Sequence, residues 1–140
     1  MLGSYFRNEN NPATFRIALL VDQALSKSTA TITDGMQIVT GGGYTRVNGA
    51  TGLAITRDGN GWDAIAQFLS TNVFYARMAD AKWVASGHIP TSGNYARWLA
   101  ICDAATPNNI IAIIDLGNLT DIPTSKEFAV ENITMPLFNF

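Results

Sequence analysis

Residues 95–117 read Tyr95-Ala-Arg-Trp-Leu-Ala-Ile-Cys-Asp103, then Ala104-Ala-Thr-Pro-Asn-Asn109, then Ile110-Ile-Ala-Ile-Ile-Asp-Leu-Gly117. Two apolar runs rich in β-branched and aromatic residues flank a polar break that contains proline and asparagine, which are common in turns. The pattern predicts a β-hairpin with a loop of about six residues. A helix could hold the second run, but that run is short, β-branched and closed by Gly117, which favours a strand.

Neither strand of this hairpin has a cleanly polar face. Alternation in the first strand separates Ala96, Trp98, Ala100 and Cys102 from Tyr95, Arg97, Leu99 and Ile101. Alternation in the second separates Ile110, Ala112, Ile114 and Leu116 from Ile111, Ile113 and Asp115. Strands that are buried on both sides have this composition. We therefore expect the hairpin in the middle of a sheet or at a contact between subunits.

The rest of the chain indicates further short strands separated by turn signals. The clearest is Thr14–Val21, with Phe15, Ile17, Leu19 and Val21 on one face. Weaker strand patterns cover 29–33, 36–40, 53–56, 73–78, 82–86 and 126–134, the last ended by Pro136, and 118–125 reads as a polar loop. Residues 62–69 fit either a short helix or a strand, and 73–86 fits two strands or one bent strand.

The predicted fold class is all-β, a jelly-roll-like antiparallel β-sandwich with roughly eight to ten short strands and little helix. Residues 1–12 are predicted to form an N-terminal arm, and residues 13–140 a single β-sandwich domain.

Composition restricts the classes of function. The 47% hydrophobic content excludes a disordered chain, and the 14% charged content is low for a free monomer, which predicts a surface largely covered by neighbours. The net charge of −2 and the scattered basic residues predict no nucleic-acid partner. No apolar run approaches ~18 residues, so no membrane span is expected. The N-terminus lacks a secretory apolar region, which predicts synthesis in a cytosol without export by a signal peptide.

Few residues suggest a catalytic, metal-binding or phosphate-binding role. The single cysteine, Cys102, lies in an apolar run and is predicted to be a core thiol. The single histidine, His88, lies in a predicted exposed loop without a nucleophile signature or zinc-ligand spacing, so a surface role is expected. The glycines at 41–43 lack the Lys-Ser/Thr of a phosphate-binding loop and predict a flexible or bulged loop. The Asp58–Gly61 turn lacks the spaced carboxylates of a calcium loop.

The aspartates and tryptophans leave two possibilities open. Asp103 is expected to cap a turn, and Asp115 to be buried and hydrogen-bonded before the Gly117 turn. Carboxylate pairs for glycoside hydrolysis converge only in a fold, so the sequence does not decide that case. Trp62, Trp83 and Trp98 could line a sugar-binding face, although such residues more often lie in cores or interfaces. No catalytic, cofactor-binding or metal-binding residue is predicted.

Several segments resemble small β-sandwich virion structural proteins of tailed bacteriophages. The resemblance is carried by Lys82-Trp-Val84, Arg97–Asp103, Asn109–Gly117, the Phe15–Leu19 strand, Gly42-Gly-Tyr44, and Phe128-Ala-Val130 followed by Pro136 and an apolar tail. It extends from Thr14 onward and departs from the group at 59–78 and 88–94. It implies a β-sandwich assembled on a phage particle, with no catalytic residues to carry over.

The resemblance leads us to expect a capsid decoration or cement protein that binds across major capsid protein subunits as a dimer or trimer. It would be located on the capsid surface of the virion after synthesis in the bacterial cytoplasm. A tail, neck or fibre-adaptor protein and a carbohydrate-binding module are the alternatives. The residues expected to contact neighbours are the terminal apolar ones, Leu2, Tyr5, Phe6, Leu137, Phe138 and Phe140.

Overall fold

The computed structural model describes residues 15–26, 28–48, 52–55, 62–68, 73–78, 81–103, 109–130 and 134–139. In these ranges the chain forms nine strands and one short 3-10 helix, Asp34–Met36. The strands are β1 (Phe15–Val21), β2 (Leu53–Ile55), β3 (Trp62–Phe68), β4 (Val73–Met78), β5 (Ala81–Val84), β6 (Ala96–Asp103), β7 (Asn109–Thr120), β8 (Glu127–Val130) and β9 (Thr134–Asn139).

Every strand pairing is antiparallel, which confirms the all-β, antiparallel prediction; the sandwich and jelly-roll arrangement stays a prediction. The strands form sheets in the orders β2-β1-β6-β7, β3-β4-β9 and β5-β8. The predicted hairpin is β6–β7. Only β6 lies inside its sheet, however, because β7 forms the sheet edge. The pairings also decide the open cases: 62–68 is a strand, and β4 and β5 belong to different sheets.

The four-stranded sheet is covered on both faces. Ile17 and Leu19 of β1 and Leu99 and Ile101 of β6 lie in one buried cluster, whereas the alternate residues of both strands lie in the other. The first cluster also contains Ile38, Tyr44, Ala85, Ile89 and Ile122, and the second consists of Ala18, Leu20, Ile32, Val47, Ala100 and Cys102. Burial on both sides is why these strands need no polar face.

Cys102 is a core thiol, as predicted. Its side chain is fully buried in the second cluster, and burial raises the pKa of the thiol to about 12. A thiol buried in apolar surroundings holds little thiolate, so it is a poor nucleophile and a poor metal ligand at neutral pH.

Two β-bulges break the expected alternation in the hairpin. The pairing register shifts between Ala96 and Trp98 and again between Ile101 and Cys102. As a result, Ala96 lies in the first cluster together with Leu99, although alternation had placed it on the same face as Trp98. Ile111 likewise packs on the same cluster as its neighbour Ala112. A bulge inserts an extra residue on one strand and so changes the side on which the following residues lie.

Residues 29–40 do not form the two expected strands. Thr31 and Gln37 make only isolated bridges, to Asn109 and Leu20, and the 3-10 helix lies between them. Here the buried Gln37 side chain bonds the backbone of Val47 in both directions. The segment thus meets the sheet through the buried side chains of Ile32 and Ile38 and through single backbone hydrogen bonds instead of a continuous ladder.

The C-terminal part differs from the expectation at two places. Pro136 does not end a strand; it lies within β9, opposite Tyr75 of β4 and next to a register shift. Proline lacks a backbone N–H and is tolerated on an edge strand or at a bulge, and β9 is an edge strand. The second difference is that 118–120 continues β7 instead of starting a loop.

Candidate interaction surface

The outer side of β7 is one edge of the largest sheet. Its inner side pairs with β6, and its outer side is bonded at the start, where the Ile110 N–H donates to the Ala30 carbonyl at 2.9 Å. From Ile111 to Asp115, no part of the chain within the described ranges pairs its backbone with this outer side.

Apolar residues dominate this edge. The run Ile110–Ile114 contains four isoleucines and one alanine, and all five are only partly buried. Proteins usually protect an edge strand with charges, prolines or a bulge, because free N–H and C=O groups beside apolar side chains pair with other chains. Ile110–Ile114 contains no charge and no proline, and of these protecting features it has only the bulge at Ile111. We call residues Ile110–Ile114 the β7 edge.

A bulge held by hydrogen bonds ends the β7 edge at Asp115. Ala96 pairs with Thr120 and Trp98 with Asp115, so residues 116–119 bulge out opposite the single residue Arg97. Gly117 adopts a left-handed backbone conformation with φ 82°. Its N–H donates to Asp115 Oδ1 at 2.8 Å, which closes a tight local turn.

Arg97 holds this bulge from the neighbouring strand. One terminal nitrogen donates to the Gly117 carbonyl at 2.9 Å, and the other donates to Asp115 Oδ2 at 3.1 Å. Arg97 Nε lies 2.9 Å from Asp115 Oδ1, but its orientation does not allow a hydrogen bond. The Gly117 N–H and then Arg97 lower the pKa of Asp115. Asp115 is thus hydrogen-bonded as predicted, but it is exposed and not buried.

His88 lies on the surface, as predicted, and has two partners. Nδ1 is 2.9 Å from the Pro90 carbonyl oxygen, and Nε2 is 2.9 Å from Asp121 Oδ2. A general base needs a free ring nitrogen aimed at a nucleophile. In this arrangement both ring nitrogens of His88 are engaged, so neither can take a proton from a nucleophile.

Two of the three tryptophans pack against the core. Trp83 stacks on Phe128, with ring centroids 5.5 Å apart and an interplanar angle of 26°, and both pack on the first cluster. Trp98 packs on the second cluster. The side chain of Trp62 lies outside the described residues. Among the residues whose burial is described, the exposed large apolar side chains are Val84, Tyr95 and Leu119.

The terminal residues expected to form the interface are largely outside the described residues. This holds for the whole N-terminal arm, with Leu2, Tyr5 and Phe6, and for Phe140. Leu137 and Phe138 belong to β9, whose backbone pairs with β4. Their side chains, like that of Asp103, are not described, and neither is the 58–61 turn. The role of these terminal residues stays a prediction.

Sequence reasoning missed the β7 edge as a separate feature. The signal was present, because an uncharged run of isoleucines stands directly before Asp115 and Gly117. Its edge position could not be read from the chain, since strand order depends on which strands pair.

Within the described ranges, no group of three or more histidine, cysteine, aspartate or glutamate side chains is placed to hold a metal ion. The same ranges contain no helix with the length and apolarity that a membrane crossing requires.

Comparisons of the chain with protein-family models, curated proteins and solved structures found no match. The likeness to phage virion proteins therefore rests on the sequence segments quoted above.

Proposed function

We propose that this chain is a structural protein of a bacteriophage virion, specifically a capsid decoration or cement protein. It binds across neighbouring major capsid protein subunits on the capsid surface, as a dimer or trimer, after synthesis in the bacterial cytoplasm. The observation that carries the proposal is the β7 edge, an uncharged run of partly exposed isoleucines whose outer backbone, from Ile111 onward, pairs with no described part of the chain. Such an edge favours the addition of a strand from another chain.

The proposed mechanism is stabilisation by mass action. A contact that exists only in the assembled shell lowers the free energy of that assembly relative to separated subunits. Stable contacts between proteins bury on the order of 1,200–2,000 Å² in total, so the β7 edge supplies only part of the surface needed. The low charged fraction of the chain, 14%, fits a protein with further covered surface.

The polar side chains described at this surface have structural partners, which fits a binding role. Both ring nitrogens of His88 are occupied, and the carboxylate of Asp115 bonds Arg97 and the Gly117 backbone. A sugar-binding face of tryptophans is less well supported, because Trp83 and Trp98 pack against the core clusters.

Ile113→Lys is expected to weaken self-association and binding to purified shells by at least about tenfold, a loss of about 1.4 kcal/mol or more. A lysine on an edge strand must give up its hydration when another strand pairs there, which is how natural edges avoid pairing. Sedimentation velocity measures the self-association, and co-sedimentation with shells that lack the protein measures the binding.

Ile113→Thr is the matched control. Threonine keeps the β-branched shape and removes a similar amount of packing, but it brings no charge, so most of the binding should remain. Both variants are compared at equal folded fraction, checked by circular dichroism. Equal binding by the wild type and Ile113→Lys would remove the β7 edge from the proposal.

A further inference from the structure

His88 connects two segments that are far apart in the sequence. Residues 86–93 approach residues 120–125 through two backbone hydrogen bonds, from the Ile89 N–H to the Ile122 carbonyl at 2.9 Å and from the Ile122 N–H to the Ile89 carbonyl at 2.7 Å. Ile89 and Ile122 are both buried in the first core cluster. The His88–Asp121 contact lies on the solvent side of this backbone pair, directly next to it in both segments.

We infer that His88 and Asp121 form a proton-controlled latch that fastens residues 86–93 to residues 120–125. The latch is the pair of contacts from the His88 ring, to the Pro90 carbonyl oxygen and to the Asp121 carboxylate. The inference stands on this geometry and does not depend on the proposed function.

The geometry requires the doubly protonated ring. Both partners of the His88 ring are oxygen atoms that only accept hydrogen bonds, a carbonyl and a carboxylate, each 2.9 Å from a ring nitrogen. A neutral imidazole has one N–H and one lone pair. Either neutral tautomer would therefore place a lone pair against an oxygen at 2.9 Å, and that contact would open.

Among the described residues, the charged group that contacts the ring is the Asp121 carboxylate. Lys126, the residue after the 120–125 segment, bonds the Pro123 carbonyl and the Ala85 N–H through its backbone. From the 41–46 segment, Gly42 approaches the backbone at 87–88, and Arg46 donates to the carbonyl oxygens of Gln37 and Ile38. The bond to the Pro90 carbonyl, followed by Asp121, raises the pKa of His88 above its ordinary value of 6.5.

The direction of the pH effect follows from linkage. Because the pKa of His88 is higher in the folded chain than in the unfolded chain, folding binds a proton in the interval between the two values. The contribution of the latch is therefore fully present at pH values below the unfolded-state pKa of 6.5 and is lost as the pH rises through the folded-state pKa. Above that pKa, residues 86–93 are held by the Ile89–Ile122 backbone pair without the latch.

The single histidine makes the test unambiguous, because the imidazole resonances in the NMR spectrum all come from one ring. We expect the wild-type signal to titrate with a midpoint above pH 6.5, and Asp121→Asn to move the midpoint to lower pH. Asp34→Asn is the control, since Asp34 lies in the exposed 3-10 helix and should leave the midpoint unchanged. A wild-type midpoint at or below 6.5, or one that Asp121→Asn does not lower, overturns the inference.

Amide hydrogen exchange tests whether the contact acts as a latch. Protection at Ile89 and Ile122, normalised to the core amide of Ile38, is expected to fall as the pH passes the imidazole midpoint. His88→Gln, which cannot titrate in this range, is expected to abolish that pH step. If the imidazole titrates while the normalised protection stays constant, the ion pair exists without fastening the segments, and the inference is wrong.

Discussion

Gly42→Ala is expected to lower the free energy of unfolding by about 2–4 kcal/mol, because it adds backbone strain and a steric overlap at the same residue. Gly42 has φ 63°, in the left-handed region. A Cβ there would lie 2.6 Å from the His88 carbonyl oxygen and 2.7 Å from that of Gly87. Both oxygens are backbone atoms that cannot rotate away, so the 41–44 turn and residues 87–88 must move apart.

The position of Gly42 explains why this separation is costly. The Gly42 carbonyl accepts hydrogen bonds from the N–H groups of Ser86 and Gly87, at 2.9 and 3.3 Å. These bonds join the Gly41–Tyr44 turn to the start of the segment that carries His88. Moving the turn away would break both bonds and disturb the cluster to which Tyr44 belongs.

Gly35→Ala is the matched control for this prediction. Gly35 has no atom within 4 Å of the added Cβ and has an ordinary φ, so a change within about 0.5 kcal/mol is expected. Urea denaturation, monitored by tryptophan fluorescence, measures both variants. Equal stability losses for Gly35→Ala and Gly42→Ala would show that the close approach at Gly42 does not carry this part of the fold.

Tyr44→Phe is expected to lower the free energy of unfolding by about 1–3 kcal/mol, because it leaves a buried N–H without a partner. The Tyr44 hydroxyl accepts a hydrogen bond from the Leu19 N–H at 3.0 Å and donates to Gln37 Oε1 at 3.1 Å. Tyr44 is 1% exposed, and burial raises the pKa of its hydroxyl.

The hydroxyl replaces a missing strand partner. β2 pairs with β1 only up to Leu53, opposite Ile17, so its ladder does not reach Leu19. The Leu19 carbonyl is bonded by the Ile38 N–H, and its N–H by Tyr44. A phenylalanine would fill the same space but leave the Leu19 N–H in an apolar environment without water.

Tyr95→Phe provides the comparison for Tyr44→Phe. Tyr95 is 44% exposed, so water can take over any role of its hydroxyl, and a change within about 0.5 kcal/mol is expected. The two variants are measured by the same urea denaturation, and a loss at Tyr44 no larger than that at Tyr95 contradicts the proposed role of the hydroxyl.

The sequence predicts the strands with the strongest patterns. The β6–β7 hairpin and β1 were predictable because their apolar runs are long, β-branched and bounded by turn residues. Burial on both faces followed from the same runs. The weak alternation at 29–33 failed, since the segment contributes only the buried Ile32 and one bridge from Thr31.

The features that escape the sequence all depend on a partner far along the chain. The bulge at 116–119 requires Arg97 on the opposite strand, and the bulge at Ile111 requires the register of β6. The glycines at 41–43 predict a flexible or bulged loop, and the structure has a tight two-residue turn from Gly41 to Tyr44, closed by two hydrogen bonds at 2.9 Å. Nothing in residues 41–44 themselves indicates that the Tyr44 hydroxyl accepts a hydrogen bond from the N–H of Leu19 in β1, 25 residues earlier in the sequence.

The β7 edge was likewise only partly predictable from the sequence. The apolar character of Ile110–Ile114 is plain in the sequence, whereas its edge position follows only from the strand order. The latch was equally hidden: His88 was expected on the surface, but its partner Asp121 lies 33 residues away.

The central claim is that this chain is a component of an assembled phage particle, and its copy number in intact particles tests that claim most directly. Particles are purified on a density gradient, and the chain is quantified against the major capsid protein on a stained gel and by mass spectrometry. The account predicts a copy number of the same order as that of the major capsid protein. A number that fits a single ring would indicate the neck or tail instead, and absence from intact particles would contradict the account.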